Sequence, residues 1–375
     1  MSEIRVERLT KAFKELRAVD DVTFSFAESE VTCLLGPSGC GKTTLMRMIA
    51  GLEKPTSGDI YFGTQRVTRL KPSQRDIGMV FQYPVVYRGI SVERNIELPL
   101  LSAKLSAEER RRRIQTVVEI LGLQDSVNKD ITQLDNGTRQ KVAVARAVAR
   151  QPRIILFDEP ITNVDANAKL QLKRAFKELT RQLKQTIIYV THDQTEAMTL
   201  ADRIALMTDG KNVQCAAPRE LFNHPADVFA GWFLGNPGMN FFPATIARDG
   251  AASTLVSPLF PAPVSLSGTS DASSVTIGIR PEHVRVSAER TPGAVEATVA
   301  RKSITIGRQY LLSIQRGDQT FKGKVPAEMG QRLGGAAWVE LPLDRIVIFD
   351  QDGHRAPVTP VGVAAPVVAA KSASG

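Results

Sequence analysis

Apolar residues in the first 235 positions fall into two alternating textures. Val31-Thr32-Cys33-Leu34-Leu35, Ile154-Ile155-Leu156-Phe157, Ile187-Ile188-Tyr189-Val190 and Ile204-Ala205-Leu206-Met207 are short, nearly continuous apolar runs. Runs of that kind form parallel strands buried on both faces. Longer stretches between them, over 42–50, 108–121, 136–150, 168–183 and 194–200, fit helices. Strands alternating with helices predict a parallel α/β core. The texture changes near residue 236. The chain turns rich in Gly, Pro and Ala as far as 266, then gives short β-type segments over 274–279, 295–300, 309–314 and 337–341. Turn residues separate these segments and no helical period accompanies them, which predicts a small barrel or sandwich. The expected organisation is an α/β domain over 1–235, a β-rich domain over 236–352, and a flexible Ala/Val/Pro/Ser-rich tail over 353–375.

Composition narrows the classes without choosing among them. A chain of 375 residues suits two domains, and 43% apolar with 23% charged residues excludes disorder and collagen-like repeats. Forty-eight basic against 39 acidic residues leave +9, a bias compatible with nucleic acid, an anionic membrane surface or a phosphate-bearing ligand. Three cysteines preclude a disulfide framework and suggest a reducing compartment; four scattered histidines and no CxxC make a structural metal improbable. No signal peptide and no spanning segment are expected, so any work at a membrane needs other chains to cross it.

The chemistry concentrates in a few contiguous motifs. Gly36-Pro37-Ser38-Gly39-Cys40-Gly41-Lys42-Thr43 fits G-x-x-x-x-G-K-[ST], after a predicted strand and opening a predicted helix. Glycines let the backbone wrap phosphate oxygens with its N–H groups, and the helix adds its positive N-terminal end. Lys42 would neutralise the β/γ-phosphates, and the Thr43 hydroxyl would ligate Mg²⁺. This pattern predicts a nucleoside triphosphate site. The run ending Phe157-Asp158-Glu159-Pro160 places two carboxylates at a strand end. Asp158 would hold Mg²⁺, and Glu159 would act as general base toward the attacking water. His192 sits at the C-terminal end of another strand, the edge where ligands bind in such sheets, and would contact the γ-phosphate.

At this point the sequence resembles the ATP-binding subunits of ABC transporters, in the importer branch serving sugars, polyols and glycerol phosphate. The resemblance covers residues 3 to about 350. It implies an α/β P-loop NTPase with a RecA-like core, a helical subdomain over about 84–150, and a C-terminal all-β OB-like domain. Phe13 stands where the family stacks an aromatic ring on adenine, and Gly36 to Thr44 would cradle the nucleotide, Pro37, Ser38, Gly39, Cys40, Gly41 and Thr44 included. Gln82 matches the glutamine that senses Mg²⁺ and water near the transmembrane partner. Asp165, in Thr162-Asn163-Val164-Asp165-Ala166, lies in the loop joining two protomers. Gly278-Ile279-Arg280-Pro281-Glu282-His283 is similar to a motif of the appended domain, where His283 reads more simply as a turn or packing residue.

One departure stands out. The family's Leu-Ser-Gly-Gly-Gln signature aligns with Leu134-Asp135-Asn136-Gly137-Thr138. In the family this segment closes over the γ-phosphate held by the other protomer. Asp135 can cap the following helix, but it would set a negative charge near another. At about 4 Å and an effective dielectric of about 20 the repulsion is on the order of 4 kcal/mol, an upper-range figure. Asn136 adds a β-carbon where close approach is wanted. With Lys42, Thr43, Gln82, Asp158, Glu159 and His192 all retained, the expected assembly is a heterodimer with a second ATPase carrying an intact signature. A homodimer, or a regulatory subunit with little hydrolysis, are the alternatives. The resemblance further implies permease subunits, an extracytoplasmic solute-binding protein, peripheral attachment at the cytoplasmic face of the cell membrane, and no nucleic acid. Glu108-Glu109-Arg110-Arg111-Arg112-Arg113 reads as the solvated face of a helix with Glu–Arg pairs. The segment 83–90 would meet the permease.

Overall fold

The computed structural model describes residues 3–162, 166–182, 185–249, 252–305 and 307–363. Chain contacts divide it into two units, Met1–Leu221 and Phe222–Gly375.

In the first unit the four predicted apolar runs are adjacent strands of one sheet. Its order is Lys211–Ala216, Arg203–Thr208, Val31–Leu35, Thr186–Thr191, Ile154–Asp158 and Ile77–Val80, parallel throughout except for the first pair. Val31–Leu35, Ile154–Asp158 and Thr186–Thr191 are buried at every position, which is why they read as continuous apolar runs and not as alternations. Around this sheet run α1 (Lys42–Ala50), α2 (Val92–Glu97), α3 (Ala107–Leu121), α4 (Asn136–Ala149), α5 (Ala166–Gln182) and α6 (Gln194–Leu200). Of these, α2, α3 and α4 fall within the segment expected as a helical subdomain. A second sheet, antiparallel, has the order Leu16–Phe26, Ile4–Phe13, Ser57–Phe62 and Gln65–Arg66. The parallel α/β expectation did not contain it. Its long strands alternate imperfectly because register shifts interrupt the Ile4–Phe13 pairings, which blurs the period-two signal. Ile4, Val6, Leu9, Val22 and Phe26 from it join Leu45, Met46 and Ile49 of α1 in one core.

The second unit begins with α7 (Pro218–Asn223, straddling the division) and α8 (Val228–Phe233), then is almost wholly antiparallel, with a short α9 (Ala327–Arg332). One sheet runs Val347–Phe349, Ser274–Ile279, Asn240–Asp249, Ala252–Val256, Val264–Gly268 and Val358–Val363; the other runs Arg285–Ser287, Gly335–Glu340, Val295–Thr305, Gln309–Arg316 and Gln319–Pro326. Their inner faces share one hydrophobic core, from Phe242, Leu255 and Ile277 to Leu312, Phe321 and Val339.

The Gly/Pro/Ala-rich stretch over 236–266 carries strands of the expected β-rich domain, with Phe242, Ala244 and Ile246 turned alternately inward. Two boundaries fall elsewhere than expected. Residues 222–235 belong with the β-rich unit rather than the α/β domain, since the buried Arg280 guanidinium donates to the carbonyls of Phe222, Gly231 and Leu234. Residues 353–363, expected within a tail, include an edge strand that pairs Val358 with Gly268 and Val264 with Val363. Positions 364–375 lie outside the described residues.

Candidate nucleotide site

Glycine geometry shapes the phosphate loop. Gly41 has φ +100°, and a Cβ there would lie 2.1 Å from the Ala18 carbonyl oxygen; a Cβ on Gly36 would lie 2.2 Å from that of Met207. Neither position admits a side chain. Gly41 is also the N-cap of α1 and offers no side-chain cap, so the first N–H groups of the helix are left for an external acceptor. Lys42 is buried, and its ammonium donates to the carbonyls of Gly36 (2.9 Å) and Pro37 (2.8 Å). Cys40 is buried beside it, with Sγ 3.7 Å from Nζ; burial pushes its thiol pKa up despite the neighbouring ammonium.

Asp158, buried at the end of its strand, accepts a hydrogen bond from the Thr43 hydroxyl at 3.1 Å. Burial raises its pKa, with the Thr43 hydrogen bond and the charges of Arg47 and Lys42 acting in the opposite sense. One hydroxyl and one carboxylate, both hard oxygen donors, suit Mg²⁺, which takes few protein ligands and completes its shell with phosphate and water. Among the described residues no group of three or more His, Cys, Asp or Glu could hold a metal without such help.

The next residue turns sharply. Glu159 has φ +45°, a left-handed conformation uncommon for glutamate, held by its N–H to the Val190 carbonyl at 3.0 Å. This turn brings its carboxylate to His192, with Oε2 3.1 Å from Nδ1, and to the Thr162 hydroxyl, which donates at 3.3 Å. Against a carboxylate, the hydrogen of this contact sits on His192 Nδ1. The chain on either side of His192 is anchored: Thr191 and Tyr189 hydroxyls both donate to the buried Glu196 carboxylate, and Asp193 caps α6.

Gln82 follows the strand Ile77–Val80 and is half-buried; the preceding carbonyl, of Phe81, accepts from Gln140 of α4 at 3.3 Å. The segment after it is tied to the same helix by Arg146, whose guanidinium lies 4.6 Å from the Tyr87 ring centroid and donates to the Asn95 carbonyl. Tyr83, Val85 and Tyr87 stay exposed. Phe13 ends its strand half exposed, with the Lys11 ammonium 4.7 Å from its ring centroid.

Asp135 caps α4. Its carboxylate accepts from the Thr138 N–H and from the Thr138 hydroxyl, both at 2.8 Å. Desolvation alone would raise its pKa; these hydrogen bonds outweigh it and hold the carboxyl below the usual aspartate value. Asn136 is exposed and Gly137 buried. Asp165, with Asn163 and Val164, lies outside the described residues.

Sequence reasoning missed Arg75. Its buried guanidinium donates to the carbonyls of Met48 (2.8 Å) and Ile49 (2.7 Å) at the far end of α1 and to those of Leu70 and Thr68, and burial lowers its pKa to about 10. It closes the C-terminus of the phosphate helix, and no local motif announces it.

A glycine-lined loop opening a helix, a carboxylate on the loop threonine, and a second carboxylate paired with histidine at the strand ends define a P-loop nucleoside triphosphatase. Residues 19–162 match the ABC transporter family and residues 235–284 the MalK OB fold domain. The trehalose/maltose import ATP-binding protein MalK of Thermococcus litoralis is 37% identical over 374 residues, covering 95% of this chain and all of that protein. The sn-glycerol-3-phosphate import ATP-binding protein UgpC of Salmonella typhimurium is 36% identical over 358 residues, covering 95% of this chain and all of that one. Among solved structures, cbiO1 from Clostridium perfringens, part of the cbiONQ complex, superposes with TM-score 0.55 at 27% identity, covering 59% of this chain and 90% of its own. The dimeric ATP-binding cassette MJ0796 bound to ADP and Pi gives 0.51 at 31% identity, covering 58% and 99%. The chain belongs to the ABC transporter family, among the import ATP-binding subunits that carry a MalK-type OB domain. Subunits of this class are ATPases that power import.

Proposed function

We propose that this chain hydrolyses ATP to drive import of a carbohydrate-type solute, a sugar, polyol, glycerol or glycerol phosphate, through permease subunits at the cytoplasmic face of the cell membrane. A solute-binding protein would deliver the solute from the other side. No described helix is long and apolar enough to cross a membrane, so the spanning segments on this reading come from those partners. The exposed aromatic segment 83–87, locked to α4 by Arg146, is the surface offered to them.

In the proposed mechanism the phosphate chain lies along the loop, and Lys42 neutralises developing charge on the γ-phosphoryl oxygens. Phe13 stacks on the base. Thr43, Asp158 and Gln82 would hold Mg²⁺, which when bound supplies charge neutralisation between the β- and γ-phosphates. Glu159 takes a proton from the attacking water, while the Nδ1–H of His192 keeps its carboxylate aimed. His192 Nε2 would make the contact at the phosphoryl end. Most of the rate comes from positioning and charge, with no covalent intermediate.

The assembly would be a heterodimer. The observation that carries this is Asp135: its carboxylate already occupies the N-terminus of α4, where the family offers a serine hydroxyl and glycine amides to a partner's γ-phosphate. A second ATPase with an intact signature would complete the site on this chain's phosphate loop, with Asp165 in the joining loop. The test is ATP turnover by the purified chain alone and with its co-expressed ATPase and permeases. Turnover by the complex with little by the chain alone supports the heterodimer; equal turnover per site sinks it.

A further inference from the structure

A cavity of about 280 Å³ lies within the β-rich unit, remote in sequence from every ATP-handling residue. Four segments wall it: the C-terminal end of α7 with His224, the Arg280–His283 turn, the Leu343–Arg345 turn with Val347, and the run from Arg355 to Pro360. Its charged lining is unbalanced, because Arg280, Arg345 and Arg355 face a single carboxylate, Asp344, which pairs with Arg345 at 3.1 Å. Arg280 is almost fully buried, and its hydrogen-bond partners are carbonyls, which orient the guanidinium without cancelling its charge. It also stacks 3.5 Å from the centroid of Phe222. His224 and His283 add two imidazoles to the wall. At His283 burial lowers the pKa first, and the charges of Arg345 and Arg280 lower it further, against opposing contributions from Glu282 and Asp344. Met239, Leu343, Ile346 and Val347 supply an apolar floor. The volume is at the small end of ligand pockets, yet more than a bare oxyanion needs.

We propose that this cavity binds a small phosphate monoester, its dianion held by Arg345, Arg355 and the two imidazoles and its short carbon body against the apolar floor. Planar guanidinium groups lining one concave site are suited to phosphate oxygens, and a bound dianion would compete with Asp344 for Arg345.

With only four histidines in the chain, each imidazole can be followed by NMR on the full-length protein labelled at histidine, and His224→Gln and His283→Gln assign the two signals. Titration with glycerol phosphate should shift His224 and His283 saturably, raise the pKa of His283, and leave His192 in place. Inorganic phosphate should bind at least about tenfold more weakly, because it lacks the carbon body. Arg345→Gln with Arg355→Gln should weaken binding by at least about tenfold, with an unchanged melting temperature. Movement confined to His192, equal shifts with sodium chloride at matched ionic strength, equal affinity for inorganic phosphate, or shifts that survive the double substitution would each overturn the proposal. The readout does not involve hydrolysis, so it stands or falls apart from the transport reading.

Discussion

Two helices of the ATPase unit start in opposite conditions. α1 begins at Gly41, which has no side chain to spend on the helix, so its first N–H groups are left to bind an outside anion. α4 begins at Asp135, whose carboxylate has already claimed the Thr138 N–H and hydroxyl. Both N-termini carry the same partial positive charge from aligned peptide dipoles. One is built to receive phosphate, and the other brings its own anion. The difference teaches that a helix N-terminus becomes a phosphate site only when the local sequence withholds a cap. It also gives the proposed asymmetry a physical basis: on that proposal this chain would accept ATP at α1 and be poor at closing over a partner's ATP with α4.

The sharpest way to probe the α1 side is Glu159→Gln. ATP turnover by the reconstituted complex should fall by roughly 10²–10⁴-fold while nucleotide affinity stays near its original value, read by phosphate release and equilibrium binding. Turnover within tenfold of the parent would remove Glu159 from the role of base. The α4 side is broken open by Asp135→Ser with Asn136→Gly, which keeps a cap but removes the charge and a β-carbon. Turnover by the chain alone should rise about tenfold or more, since about 1.4 kcal/mol of relieved repulsion suffices. No rise would locate the asymmetry elsewhere.

Two smaller effects separate the carboxylates at the two ends. Asp158 has its pKa raised by burial, so its ionisation costs more in the folded chain than in the unfolded one, and that cost is fully present above the raised pKa. Asp158→Asn should therefore raise the melting temperature of the nucleotide-free chain at neutral pH, read by calorimetry, with the gain shrinking as the pH is lowered. Asp135 is the reverse case. Its lowered pKa stabilises the fold above the ordinary aspartate value, and the gain is lost as pH falls through the lowered one. Asp135→Ala should cost about 0.5–1 kcal/mol in urea unfolding at neutral pH, a gap that closes only in acid. A gap independent of pH would mean that the charge takes no part in the cap.

Much of the site was legible because it is contiguous. The phosphate loop, the Asp158-Glu159 strand end and the drift at 134–138 each depend on residues a few positions apart, so their backbone consequences follow from local rules. The capping ability of Asp135 was legible for the same reason, an i,i+3 contact. The antiparallel sheet around Ile4–Phe13 was not, because register shifts blur its alternation. Nor was the inclusion of 222–235 in the β-rich unit, which rests on Arg280 reaching carbonyls more than forty positions away.

Sequence alone therefore determined the class of chemistry, a triphosphate cradled by a loop, and the one signature that departs from its family. The tertiary structure decided how the parts are held. It brought His192 onto Glu159 through neighbouring strands, set Arg75 against the closed end of α1, and gathered arginines from separate turns around one cavity. Those contacts join residues tens of positions apart, and their geometry exists only once the sheets place strand ends side by side, which no local propensity encodes.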